Sequence, residues 1–104
     1  MGKIELEKKD DGKQAFALYA NGLRAGEMVI SVHGNELTVG HTEVAPAYRG
    51  QGVGLKLIDA MVNYVRSHRM KVAVLCPYTY AQLNRHPEKH ADVWNKRKRP
   101  ISHI

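Results

Sequence analysis

An α+β fold built on one mixed sheet follows from three features of the chain: a series of short stretches alternating apolar and polar residues, one long amphipathic stretch, and a continuous apolar run after it. The alternating part predicts an antiparallel N-terminal meander. The amphipathic stretch and the apolar run predict a β-α-β crossover, followed by a short C-terminal helix. At 104 residues the chain can build one modest core but not two.

Ile4 and Leu6 alternate with Lys3, Glu5 and Glu7, the period of a strand with one wet face. Asp10, Asp11 and Gly12 break it with turn chemistry. Alternation resumes over Gln14–Ala20, with Phe16 and Leu18 on one side, until Asn21 and Gly22 supply a second turn. A third strand carries Met28, Ile30 and Val32 on one face and is closed by His33, Gly34 and Asn35. Glu36–Val44 forms the fourth strand, with Leu37, Val39 and His41 expected on a shared face. Connections this short predict antiparallel neighbours.

Leu55, Ile58, Met61, Val62 and Val65 then recur at three- and four-residue spacings, which predicts a helix of about 15 residues buried along one side. Ser67, His68, Arg69 and Met70 end it, with cations at the negative pole of the helix dipole. Val72, Ala73, Val74 and Leu75 read as a strand covered on both faces. Strand, helix and strand in that order require a crossover that lays this strand parallel to the fourth. A second short helix is expected over 80–85, ahead of Pro87, with Val93 and Trp94 packing the last segment down. The domain is expected to span 1–95 and to be followed by a basic tail over 96–104.

Hydrophobic residues at 43% support a folded globule over a disordered chain. The start is charged where a signal peptide is apolar, and no apolar run approaches the roughly 20 residues of a membrane span. Leu6 stands where a myristoylation signal needs Ser or Thr. The expectation is a soluble, cytoplasmic protein with no membrane partner. Cys76 is the only cysteine, so no intrachain disulfide can form. The net charge of +6 favours anionic partners, but Lys96, Arg97, Lys98 and Arg99 carry four of the six, leaving a body of only +2. That run reads as a solvated tail. No aromatic residues interleave with it, so nucleic acid ranks last among the partners considered.

Between the fourth strand and the long helix lies a glycine-rich bend holding Gly50, Gly52 and Gly54. Glycines before a helix allow close approach of a ligand to the first-turn N–H groups, which have no helical partner and favour phosphate. A tight loop without a ligand gives the same pattern. The spacing does not fit Gly-x-Gly-x-x-Gly, and Leu55-Lys56-Leu57 replaces the Lys-Ser/Thr of a nucleoside triphosphate loop. Arg49-x-x-Gly52-x-Gly54, preceded by Val44-x-Pro46, resembles the coenzyme A signature of the GNAT superfamily of N-acetyltransferases. With His41, Thr42, Glu43 and Val44 upstream and Cys76, Pro77 and Tyr78 downstream, the likeness is to the small, single-domain GNAT-like branch, and it extends over residues 37–94.

The resemblance implies a GNAT-like mixed sheet that binds acetyl-coenzyme A (acetyl-CoA) and transfers its acetyl group to an amine, on a small molecule or a protein. The alternative is a coenzyme A-binding module without transferase activity. The cofactor contacts it implies are Val44, Arg49, Gly50, Gln51, Gly52, Val53 and Gly54. Asn84 reads as a contact to the pantetheine arm or as a helix-terminal polar residue. The Val44 N–H is expected to polarise the thioester carbonyl and the Arg49 guanidinium to help neutralise phosphate. Glu43 is the candidate base, with His41 as relay, each also readable as a structural residue. Cys76 reads as a nucleophile or cofactor-facing thiol, or as a small buried hydrophobe. Tyr78 or Tyr80 is the candidate acid for the departing thiolate, with packing as the equal reading. His86 and His90 are four apart, but Pro87 spoils the helix that would present both, so no metal site is expected. Larger members of the superfamily insert helices between their first strands and end in a hairpin. Here Asn21-Gly22 leaves no room for such helices, so the acceptor site should be shallow, shared with a partner chain, or missing.

Overall fold

The computed structural model describes residues 2–100. One five-stranded sheet runs in the order β1-β2-β3-β4-β5, with β1 Lys3–Lys8, β2 Gln14–Ala20, β3 Leu23–His33, β4 Glu36–Val44 and β5 Lys71–Val74. The first four strands pair antiparallel and β5 joins β4 in parallel, as the periodicity predicts. Asn21 and Gly22 hold φ of 54° and 77°, and this pair of left-handed residues is what a two-residue hairpin between twisted strands requires.

The crossover helix α1, Val53–Ser67, lays Leu57, Ile58, Met61, Val62 and Val65 on Phe16, Leu18, Met28, Ile30, Leu37, Val39, Val72 and Val74 of the sheet. It leaves no room for a side chain at Gly26, where an added methyl would sit 2.7 Å from Val53 Cγ1 and 2.9 Å from the Glu43 carbonyl oxygen. A second helix, α2, spans Pro77–Leu83 rather than the expected 80–85. It begins at the proline because the first helical position needs no N–H donor. After a single 3-10 turn at Pro87–Lys89, residues 93–95 run beside β5, where the Val72 N–H donates to the Val93 carbonyl at 2.7 Å and the Asn95 N–H to the Val72 carbonyl at 2.8 Å. Val93 and Trp94 are buried there, closing the core.

The tail expected over 96–104 is described as far as Pro100, and residues 101–104 lie outside the described residues. Its first part touches the domain. Lys98 Nζ pairs with Glu36 Oε1 at 2.5 Å, Asn95 Nδ2 donates to Glu36 Oε2 at 3.0 Å, and Lys96 Nζ stands 5.3 Å from the centroid of the Trp94 ring. The bond from Lys98 and then that from Asn95 hold the Glu36 carboxyl below its usual range.

One expectation fails. His41 does not share a face with Leu37 and Val39, because Val29 pairs with His41 while the next residue, Ile30, pairs with Val39. Gly40 is therefore an extra, unpaired residue, a β-bulge that resets the alternation by one. Beyond it Thr42 and Val44, opposite Met28 and Gly26, face the helices, and His41 and Glu43 face the other way. Both helices lie on one side of the sheet. Among the described residues no helix covers the other, open face.

Candidate active site

The bulge also marks where β4 parts from β5. Pairing between the two runs from Glu36–Lys71 to Val39–Val74 and ends with the Leu75 N–H donating to the Val39 carbonyl at 2.9 Å. Among the described residues β4 is paired only with β3 from Gly40 onward. The Ala45 N–H reaches the Ala25 carbonyl on β3 at 2.8 Å, so by strand alternation the Val44 N–H points away from β3, into the gap.

The glycine bend stands at the mouth of that gap. Gly50 and Gly52 hold φ of 79° and 78°, and a methyl at either would meet nothing within 4 Å. What glycine supplies at both positions is the left-handed conformation, not space. Gly52 caps α1 without a side-chain bond, and the first turn holds no acidic residue. The first intrahelical bond joins the Lys56 N–H to the Gly52 carbonyl at 3.1 Å. The N–H groups of Val53, Gly54 and Leu55 thus stand ahead of any helical acceptor, at the positive pole of the dipole. Gly54 differs from the other two, since a methyl there would run into the Tyr78 hydroxyl. Val44, Tyr48, Arg49, Gly50, Gly52, Val53, Gly54 and Tyr78 line a hollow of about 260 Å³.

Below the gap Cys76 is 5% exposed and precedes α2. Burial pushes its thiol up, but bonds from the Thr79 N–H, the Thr42 and Thr79 hydroxyls and the Tyr78 N–H outweigh burial and leave it below the ordinary thiol range. The two hydroxyls are 3.0 Å apart. They tie β4 to α2 where the backbone ladder has stopped, and Thr79 is a fully buried polar residue.

The open face carries different chemistry. His41 Nε2 lies 2.8 Å from Glu43 Oε1, and the two side chains are 55% and 67% exposed. Glu43 stands directly opposite Glu27 on β3. Glu27 is bound by Arg24 at 2.6 Å and Lys9 at 3.2 Å. Burial raises its carboxyl, and these two cations more than reverse that. Arg24, Glu27, Thr42, Glu43, Val44, Pro46 and Arg49 are among the residues lining a hollow of about 600 Å³, and Val44 and Arg49 belong to both hollows.

Residues 4–93 match the family model of the GCN5-related N-acetyltransferases. The chain belongs to that family. No curated protein matches it. Among solved structures, a GCN5-like protein from Staphylococcus aureus is 26% identical, with 99% of this chain and 95% of that one covered at a TM-score of 0.62. Nourseothricin acetyltransferase is 33% identical over 64% of this chain and 41% of its own, at a TM-score of 0.52, so this chain spans about two fifths of that length. A GNAT family acetyltransferase from Brucella melitensis, solved with acetyl-CoA, shares the fold at 22% identity and a TM-score of 0.53, over 60% of this chain and 45% of that one.

In this GCN5-related chain most of the site residues named from sequence fall into two groups, and Gln51 and Asn84 stand outside both. Val44, Arg49, Gly50, Gly52, Val53, Gly54 and Tyr78 share one hollow. Gln51 turns back on its own loop, its Nε2 donating to the Ala47 carbonyl at 3.3 Å. Asn84 caps the far end of α2 from Cys76 and is exposed. Glu43 and His41 lie on the opposite side of β4 from Cys76 and Tyr78. Sequence reasoning passed over Thr42, Thr79, Glu27 and Gly40. A threonine or glycine inside a strand or helix, or one more charge on a wet face, carries no signal of its own. The β3–β4 register reveals what Thr42, Glu27 and Gly40 do, and the contact with Thr42 reveals what Thr79 does.

Proposed function

We propose that this chain is an acetyl-CoA-dependent N-acetyltransferase in which the cofactor enters from the α1 side of β4 and the amine from the open face. The observation that carries this reading is the gap: β4 and β5 part at Val39, and the freed Val44 N–H lies between a glycine-capped helix N-terminus and a carboxylate. The residues present suit the cofactor's pyrophosphate, for the left-handed Gly50 and Gly52 aim main-chain donors into a hollow that holds no acid, with Arg49 at its edge. A related fold from Brucella melitensis holds acetyl-CoA, which supports the choice of ligand. When bound, acetyl-CoA supplies an acyl group activated as a thioester.

Glu43 takes the proton of the incoming ammonium, and His41, in contact with it, passes that proton to solvent. The amine nitrogen then forms a bond to the acyl carbon as the carbon–sulfur bond breaks, while the Val44 N–H donates to the carbonyl oxygen. The proton that the nitrogen sheds on forming the amide goes to the departing thiolate by way of the Tyr78 hydroxyl, which lines the cofactor's hollow and ends protonated as it began. Cys76 lies across β4 from Glu43, so the carboxylate that activates the amine does not reach the thiol. Direct transfer needs no acyl-cysteine, and we assign Cys76 to the floor of the gap.

Titration calorimetry of the intact chain with acetyl-CoA, beside Gly52→Ala, tests the reading. Binding should weaken about five- to thirtyfold in the variant, since a left-handed alanine costs roughly 1–2 kcal/mol. No binding to the native chain overturns the proposal. Mass spectrometry after incubation with acetyl-CoA should find no acetyl group on Cys76.

A further inference from the structure

Outside the cofactor's hollow, the open face holds two adjoining features that transfer to an unspecified amine leaves unused. Glu27 and Glu43 stand directly opposite one another, an arrangement that is unfavourable between like charges unless a cation joins them. Lys9 and Arg24 neutralise Glu27, but among the described residues Glu43 pairs with His41 alone. The next row on the same face is the pair Val29–His41, and beside it lies a second hollow of about 260 Å³. Val29, Ile30, Thr38, Gly40, His41 and Leu75 are among the residues lining it, and Leu75 is a large apolar side chain left 43% exposed. Same-face rows in a strand are roughly 7 Å apart. An extended peptide has the same repeat.

We infer that the acceptor is the free amino terminus of a polypeptide, laid extended along the open face with its α-amine at Glu43 and the side chain of its third residue, an apolar one, in the Val29–Leu75 hollow. The inference rests on the acetyltransferase reading above. A small free amine would occupy the hollow at Glu43 alone, whereas a chain extended along β3 and β4 reaches the second hollow as well. Exposure also selects the kind of amine. Glu43 is 67% exposed, so water reaches both the carboxylate and the ammonium it faces, and burial does not help Glu43 to deprotonate the amine. An α-amine, with a pKa near 7.7–8.0, is about one-tenth neutral at pH 7, against fewer than about one in a thousand for a lysine near 10.4. An open site of this kind therefore favours the amine that arrives partly neutral.

The test uses the full chain, acetyl-CoA and four acceptors: a short peptide with a free N-terminus and Leu at its third position, the same peptide with Asp there, an N-terminally blocked peptide containing lysine, and benzylamine. Thiol release and product mass are followed, and acetyl-CoA affinity is measured separately. The Leu peptide should exceed the Asp peptide by roughly tenfold or more in kcat/KM, the worth of burying part of one apolar side chain. It should exceed the blocked peptide and benzylamine by at least as much. Leu75→Asp, at an exposed position, should abolish the preference for Leu while leaving acetyl-CoA affinity unchanged. Bound acetyl-CoA with equal or faster transfer to lysine or benzylamine overturns this inference but leaves the transferase standing. Bound acetyl-CoA with no transfer to any acceptor overturns it too. Absence of acetyl-CoA binding removes both.

Discussion

Residues 36–39 of β4 are paired on both edges, to β3 and to β5, and Leu37 and Val39 are completely buried. Residues 41–44 are paired on one edge only, and His41 and Glu43 face solvent while Thr42 reaches Thr79 beneath. A single extra residue, Gly40, separates the two halves. The first half obeys the rules of a core strand. The second presents a free strand edge with different groups on each face, a carboxylate on one and hydroxyls beside a thiol on the other. One strand can hold the fold together and open a site because the bulge ends its second ladder at the point where it resets its faces.

Substitutions on the two sides of Gly40 should accordingly damage different properties. Glu43→Gln should lower the rate by about 10²–10⁴, the usual contribution of a general base. Its thermal stability should stay within about 0.5 kcal/mol of the native chain, as for other surface replacements. Leu37→Ala should do the reverse, costing about 2–5 kcal/mol in denaturant unfolding by deleting a fully buried side chain, with the rate of the folded fraction little changed. If Leu37→Ala reduced the rate of folded protein as much as Glu43→Gln does, the two halves would not be separable.

Removing Gly40 puts the comparison under more direct strain. Its deletion keeps Leu37, Val39, Thr42 and Val44 on the helix side, because alternation then runs unbroken from Val39 through His41 to Thr42. What disappears is the local bend that turns β4 away from β5. The shortened chain should fold, with a circular dichroism spectrum close to the native one, and should bind acetyl-CoA at least about tenfold more weakly by calorimetry. Native affinity in the deletion would mean that the gap owes its opening to Pro77 at the start of α2 and not to the bulge.

The contrast also explains what could be read from the sequence. The meander, the crossover and the glycine-rich bend each follow a local rule: alternation over Gln14–Ala20, the three-and-four spacing from Leu55 to Val65, and the run of glycines at 50, 52 and 54 ahead of a helix. Membership of the GCN5-related family was carried by the short stretch around Arg49 and Gly54. The placement of Glu43 relative to Cys76 was not legible, because it depends on the parity of β4, and one bulged residue inverts parity without changing composition. The acidic pair Glu27–Glu43 escaped for a similar reason. Sixteen positions apart in the chain, the two meet only through the β3–β4 register. The late placing of the second helix is a local matter, for Pro77 looks like a break but is well suited to a first helical position.

The smallest effect expected falls at the start of β4, where the tail is fastened. Glu36 is depressed below its ordinary carboxylate value of 4.5, first by the bond from Lys98 and then by that from Asn95. A carboxyl lowered in the folded state binds fewer protons there than in the unfolded chain. The contact therefore stabilises fully at pH above 4.5, and its contribution is lost as the pH falls through the folded-state value. At pH 7 Glu36→Gln should cost a few tenths to about 1 kcal/mol, the usual range for a solvent-accessible pair. In acid the difference between variant and native chain should shrink towards zero. The transferase rate at neutral pH should be indifferent to the change, since Glu36 lies on the doubly paired side of Gly40. A fall in rate on loosening the tail would show that residues 95–98 bear on the site through β5, and that the two halves of β4 are coupled.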